Sequence, residues 1–216
     1  MNLIRMKYSF KKVHKFGLIN IFLCLQARLK LSILKLYFGF DYWHVGSNYR
    51  CRPYKQKVVA ALDSVLSNGL VDVGCGLGEI GIILRKNNSM IKYHGLDIKT
   101  NIISAAKFLS RNNDNKFSTG SFESLSSLDF NHYNTLLLLN FTERLDPKNL
   151  VELIVSNIPA NIHFIIIDTI HLDASGSYQY RHSAEELINL GLPFKCINII
   201  KNLDKFRDLL IFERAG

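Results

Sequence analysis

The stretch VDVGCGLGEIG, Val71 to Gly81, gathers residues whose types and spacing can do chemistry. Val71 and Val73 suit a buried strand, and Gly74, Gly76 and Gly78 suit a turn in which the backbone approaches a ligand. Asp72 places a carboxylate one residue short of the first glycine. Gly76, Gly78 and Gly81 also spell G-x-G-x-x-G, the dinucleotide fingerprint, and Asp97 follows about 20 residues on, as such a site asks of its acid. Two details differ from that pattern. Gly74 and Cys75 stand between the strand and the fingerprint's first glycine. A strand-end carboxylate would repel a pyrophosphate, whereas it would accept a cationic cofactor. A plain glycine-rich turn in an α/β protein is a third reading.

Two further groups carry reactive side chains. D-T-I-H-L-D, Asp168 to Asp173, is followed by Tyr178, Tyr180, Arg181 and His182. His171 is the candidate general base, because an imidazole with an ordinary pKa of about 6.5 takes a proton near neutrality. The alternative is a histidine that only ties down a loop. Two acids and one histidine could also ligate a metal, but such sets arise often by accident, and no metal is expected. DYWHVGSNYRCRPYK, Asp41–Lys55, is dense in aromatic and basic residues. Its Arg50 and Arg52 can each fork onto a carboxylate with two parallel hydrogen bonds.

These residues need strand ends and helix starts to hold them. Lys55–Asn68 has the apolar period of a helix, ended by Asn68-Gly69. Leu70–Val73 follows as the first strand and Leu77–Lys86 as the first crossover helix. Lys92–Ile98 is the second strand, with Asp97 at its end, and Asn101–Arg111 the second helix. Lys116–Gly120, Tyr133–Leu139 and His163–Asp168 are three more strands. Asp146-Pro147 starts a helix that Ile158-Pro159 closes, and Ser183 to Glu186 form a capping box. Phe194–Lys201 and Arg207–Glu213 make a closing hairpin around a polar turn at Asn202–Asp204.

V-D-V-G-C-G-L-G resembles motif I of the class I S-adenosylmethionine (SAM) dependent methyltransferases. The resemblance covers about Asp41 to the C-terminus. It implies an α/β fold: a Rossmann-like, seven-stranded, mostly parallel sheet with a C-terminal antiparallel hairpin and helices on both faces. It implies SAM as cofactor, held by Asp72, Gly74, Gly76 and Gly78. Asp97, with Ile98 beside it, takes the ribose hydroxyls in this reading; as the bland alternative, Asp97 caps the helix at Thr100-Asn101. The adenine contact falls to Ser121, Phe122 or Glu123, with Phe122 lying on the ring, where many members have an aspartate. Asn140 ends the fourth strand at the substrate-facing loop. The W…N-x-R spacing of Trp43, Asn48 and Arg50, and Arg52 after it, resemble a covering segment that carries an arginine for the methionine carboxylate.

The acceptor is read from what surrounds this core. N-F-T-E, from Asn140 to Glu143, is not the [DN]-P-P-[YF] of enzymes that methylate planar amide or adenine nitrogens. The lead-in W-H…Y-R-C-R-P-Y-K resembles small bacterial methyltransferases of surface-polysaccharide sugars. O-methylation of a saccharide or related small metabolite in the cytoplasm is therefore the expectation. Alternatives are a lipid-quinone or other small-molecule methyltransferase, and a SAM-fold binding module without catalysis.

Of the net +9, residues 1–40 carry +8 with no acid, leaving +1 for the rest. A near-neutral body argues against nucleic acid, whose phosphates need a basic surface around the site. Within residues 1–40 the longest uncharged run, Phe16–Ala27 with 12 residues, falls well short of the roughly 20 that span a bilayer. No A-x-A-like cleavage site follows it. From Leu18 on, apolar residues step by three or four, which suits a helix in a basic N-terminal extension (1–40) beside the enzyme domain (41–216). Two readings stay open: a peripheral anchor on anionic lipid, or a helix packed on protein. Cys24, Cys51, Cys75 and Cys196 form no C-x-x-C and suit free thiols in a reducing compartment.

Overall fold

The structure, a computed structural model, describes residues 25–26, 29–40, 54–65, 68–87, 89–111, 114–127, 131–141, 145–172 and 180–215. The chain divides into two compact units, Met1–Pro53 and Tyr54–Gly216. In the first unit, residues 25–26 and 29–38 are helical. No helix among the described residues is long and apolar enough to cross a membrane.

The second unit holds seven strands: β1 (Gly69–Val73), β2 (Lys92–Asp97), β3 (Lys116–Thr119), β4 (Thr135–Leu138), β5 (Phe164–Asp168), β6 (Phe194–Asp204) and β7 (Arg207–Arg214). Its α-helices are α1 (Tyr54–Leu62), α2 (Glu79–Lys86), α3 (Thr100–Leu109), α4 (Pro147–Asn157) and α5 (Ala184–Ile188). The strands form one sheet in the order β3-β2-β1-β4-β5-β7-β6. The first five are parallel neighbours, and β7 lies antiparallel between β5 and β6. This is the Rossmann-like methyltransferase architecture the sequence implies. The strand order reverses at β1, where β2 pairs on one side and β4 on the other. Ligands of open α/β sheets sit at that crevice, outside the strands' carboxyl ends.

Helices cover both faces, so inner strands are apolar along their length and not alternating. GLVDV of β1 and TLLL of β4 are buried at every residue. Even so, the pleat sorts the polar exceptions. Val71, Val73, Leu96, Leu136, Leu138, Ile165 and Ile167 belong to one core cluster with Leu150 and Ile154 of α4 and Leu187 of α5. Asp72 lies between Val71 and Val73, Asp97 follows Leu96, and Asp168 follows Ile167. Side chains alternate along a strand, so these three carboxylates share the opposite face, near the carboxyl edge.

Local chemistry sets the helix starts. Asp146 Oδ1 accepts from Asn149 N at 3.1 Å, with Pro147 at the first position of α4. Ser183 Oγ accepts from Glu186 N at 3.0 Å, as the capping box predicts. Three expectations need correction. Asn68-Gly69 does not simply stop a helix: α1 ends at Leu62 and gives way to a 3-10 turn, Asp63–Val65, and Gly69 already belongs to β1. Asn202–Asp204 is not the hairpin turn. β6 runs through it as a bulged strand, with Asn202 at φ 54, and the chain reverses at Lys205 and Phe206. Phe122–Ser127 forms a 3-10 helix that the sequence pattern did not signal.

Candidate active site

The glycine turn joins β1 to α2 at the switch point. Gly74 and Gly76 have φ of 73° and 56°, a region only glycine enters without strain. A Cβ on either would meet nothing within 4 Å, so this turn keeps an open face where backbone can approach a ligand. Gly78 is constrained differently: a Cβ there would run into the ring of Phe117. Cys75 N donates to Leu96 O at 2.8 Å, tying the turn to β2. Asp97 completes the tie. Its Oδ2 accepts from Gly76 N at 3.1 Å and its Oδ1 from Lys99 N at 3.0 Å. Each carboxylate oxygen takes two donors, so both keep a site for a ligand hydroxyl. Ile98, next in sequence, is 72% exposed, an unusual position for a large apolar side chain beside a polar turn.

Asp72 is placed otherwise. It is 3% exposed, and its Oδ2 accepts from Tyr93 Oη at 2.7 Å. Burial pushes its pKa up to about 7, although the Tyr93 hydrogen bond and the Lys55 charge pull it down. Lys55, the second residue of α1, pairs with Glu79 at the first position of α2. Burial opposes the Lys55 charge, but Glu79 beside it holds the pKa above its ordinary value. Beneath the open turn therefore lies a closed layer of two carboxyls, one ammonium and one phenol.

A second buried set lies at the carboxyl end of β5. Asp168 is wholly buried; its Oδ2 accepts from Arg207 Nη1 at 2.5 Å and its Oδ1 from Asn140 N at 2.7 Å. Burial raises the Asp168 pKa against the pull of Arg207. Burial disfavours the Arg207 charge, yet Asp168 holds it charged. The Arg207 guanidinium also lies 5.5 Å from the centre of the Tyr54 ring. Asn140 closes β4 with φ 55. His171 follows on the same edge: its N donates to Phe206 O at 2.8 Å, and its ring Nε2 lies 3.1 Å from Asp208 Oδ1. Asp208 is itself fixed, with Oδ1 accepting from Asn202 N at 2.8 Å.

A family model described as a methyltransferase domain matches residues 67–216. The chain belongs to that family. It is a SAM-dependent methyltransferase, and its matched segment takes in the glycine turn, Asp97, Asn140 and His171. The fold agrees with solved structures. Magnesium protoporphyrin IX methyltransferase (ChlM) from Synechocystis PCC 6803 with bound SAM superposes with a TM-score of 0.61 at 18% identity, over 85% of this chain and 96% of that one. The PH0226 protein from Pyrococcus horikoshii OT3 gives 0.60 at 15%, over 79% and 93%. WbdD gives 0.53 at 15%, over 74% of this methyltransferase but 38% of that chain. No curated protein sequence matches it.

The methyltransferase's residues fit its cofactor, which supplies an electrophilic methyl group on a sulfonium. The turn presents an open backbone face, and α2 starts there with its N-terminal dipole. Asp97 has lone pairs to spare for a diol, and Ile98 offers apolar surface for a base. The structure brings Gly74, Gly76, Gly78, Asp97 and Ile98 together. It buries Asp72 below them. Phe122 is also withdrawn: it is 3% exposed, and its ring packs in the core 5.4 Å from that of Phe141. The 3-10 helix turns Phe122 inward and leaves Glu123 exposed. A hydrogen bond from Ser121 lowers the Glu123 pKa. Arg50, Arg52, Trp43 and Asn48 lie outside the described residues.

Sequence reasoning gave no site role to Lys55, Glu79, Tyr93, Arg207 or Asp208, and took Asp168 only as one acid of an accidental metal set. One of them carried a signal. Asp168 ends the apolar run FIIID as Asp97 ends its own strand, the mark of a carboxylate at a carboxyl edge. The others meet only through the fold.

Proposed function

We propose that this methyltransferase methylates a hydroxyl of a saccharide or related small metabolite. The observation that carries the reading is the His171–Asp208 pair at the carboxyl end of β5, beside β4, which leads to Asn140. A hydroxyl must lose its proton as it bonds to carbon. Asp208 Oδ1 lies 3.1 Å from Nε2 without hydrogen-bond geometry, so its charge can steady the imidazolium formed when His171 takes the hydroxyl's proton. Asn140, fixed by Asp168, shapes the acceptor side. Gly74, Gly76 and Gly78 cradle the cofactor, Asp97 takes the ribose hydroxyls, and Ile98 and Glu123 border the adenine. Asp72 acts from below through its hydrogen bond with Tyr93, and Phe122 as packing under the adenine end. Arg50 and Arg52 are the candidates for the methionine carboxylate. The saccharide class rests on the lead-in sequence from Trp43 to Lys55. Such chemistry is cytoplasmic, and residues 1–40 would bring it to the inner membrane face.

The test is transfer of a labelled methyl group to a panel of nucleotide sugars, glycans and quinols. Label on a sugar hydroxyl supports the reading. Label that reaches only a quinol or another non-saccharide acceptor refutes the saccharide class.

A further inference from the structure

The first unit carries an apolar stripe that its own packing does not cover. Within the helical residues 29–38, Leu29, Ile33, Leu36 and Tyr37 stand at i, i+4, i+7 and i+8, and so share one face. They are 64%, 58%, 85% and 80% exposed, whereas Leu31 and Leu34 on the other side are buried. Leu25, also in a helical stretch, is 58% exposed. The helix thus has two apolar faces, one packed and one open. Single exposed leucines are ordinary, but a contiguous row along a helix marks an interaction surface.

Charge selects the partner. Exposed Lys30 borders the stripe, and residues 1–40 carry eight basic residues and no acid. A second copy placed face to face would bring two such segments together, and like charges repel. A bilayer surface with anionic headgroups complements both properties at once: acyl chains take the apolar row and headgroups take the cations. We infer that the Leu29–Ile33–Leu36–Tyr37 face is a docking surface for an anionic lipid bilayer, with the helix lying in the plane of the interface. This deepens the membrane reading of residues 1–40 and is independent of the acceptor.

The test is flotation of the full chain with vesicles of phosphatidylcholine alone and of phosphatidylcholine mixed with phosphatidylglycerol. The chain should float with the mixed vesicles, stay behind with pure phosphatidylcholine, and float less as salt is raised. A Leu29→Glu, Leu36→Glu double variant should partition roughly tenfold more weakly per leucine. Its affinity for S-adenosylhomocysteine should be unchanged, which shows that the variant is folded and separates this inference from the site reading. Absence of flotation overturns the inference, as does flotation that the double variant retains. A dimer in sedimentation that the double variant abolishes, without flotation, assigns the face to a second copy and also overturns it.

Discussion

Replacing Asp72 with asparagine should remove a pH-dependent weakness from the fold. Burial raises the Asp72 pKa from its ordinary 3.8 to about 7. The native state therefore keeps this proton over a range where the unfolded chain has lost it. Because the unfolded chain binds fewer protons there, stability falls as pH rises from about 4 to about 7, and the loss is complete above that. About three pKa units at ~1.4 kcal/mol each give ~4 kcal/mol for holding the ionised carboxylate in place at alkaline pH. Roughly 3 kcal/mol of that accumulates between pH 5 and pH 8. An asparagine amide in the same place cannot ionise, and its side-chain oxygen can still accept from Tyr93. Urea denaturation at pH 5, 6.5 and 8 should therefore show Asp72→Asn gaining on the unaltered protein as pH rises, by about 3 kcal/mol over the range. Tyr93→Phe removes a donor that favours the ionised form, so it should move the fall to higher pH. Parallel stability profiles for the unaltered protein and Asp72→Asn would refute the reasoning, because they would mean that Asp72 is ionised throughout.

Asp97→Ala loses the side-chain tie to Gly76 N in the turn, the one to Lys99 N, and the ribose acceptor. Calorimetric titration should show SAM affinity down by about 10- to 100-fold, the worth of one or two charge-assisted hydrogen bonds. Unchanged affinity would remove the ribose assignment. His171→Ala should lower kcat by about 10²–10⁴ while sparing cofactor affinity, as for a lost general base, and turnover at the original rate would make His171 a loop residue. Arg207→Met leaves Asp168 buried without its counter-charge and should cost about 3–5 kcal/mol in urea melts near neutral pH. A cost below about 1 kcal/mol would show that Asp168 is already protonated there.

The turn and its strand were legible because their signals are local. Asp72, Gly74, Gly76 and Gly78 stand within seven residues, and Asp97 sits at the next strand end. The apolar runs GLVDV, TLLL and FIIID marked inner strands for the same reason. What the sequence could not carry was the direction of side chains across the sheet. Asp72, expected at the ligand, shares a face with Asp97 but is buried there, with Tyr93 bonded to it, whereas Asp97 stays at the open edge of the sheet. Phe122 was expected on an open face, but a 3-10 helix without a periodic signature turns it into the core. His171 could be ranked by chemistry alone, while Asp208 lay hidden in the hairpin, 37 positions away along the chain. Asn202–Asp204 looked like a turn because its residues favour one; β6 absorbs them as a bulge.

Among the described residues β6 is the outer strand of the sheet, bonded to β7 alone, and its 11 residues make it far longer than β3, the four-residue strand at the other edge. A long open edge invites strands from other molecules, and exposed Ile197 would favour such pairing. The strand carries its own obstacles. Register shifts break the ladder between Cys196 and Asn198 and again between Ile200 and Asp204. Lys195 and Lys201 put charge along it, and Lys57 Nζ already donates to Asn202 O at 3.2 Å. An incoming strand would find few carbonyls and amides in step and two ammoniums to desolvate. The irregularity that hid the hairpin turn from sequence reading thus guards the molecule against sheet growth and fibril formation.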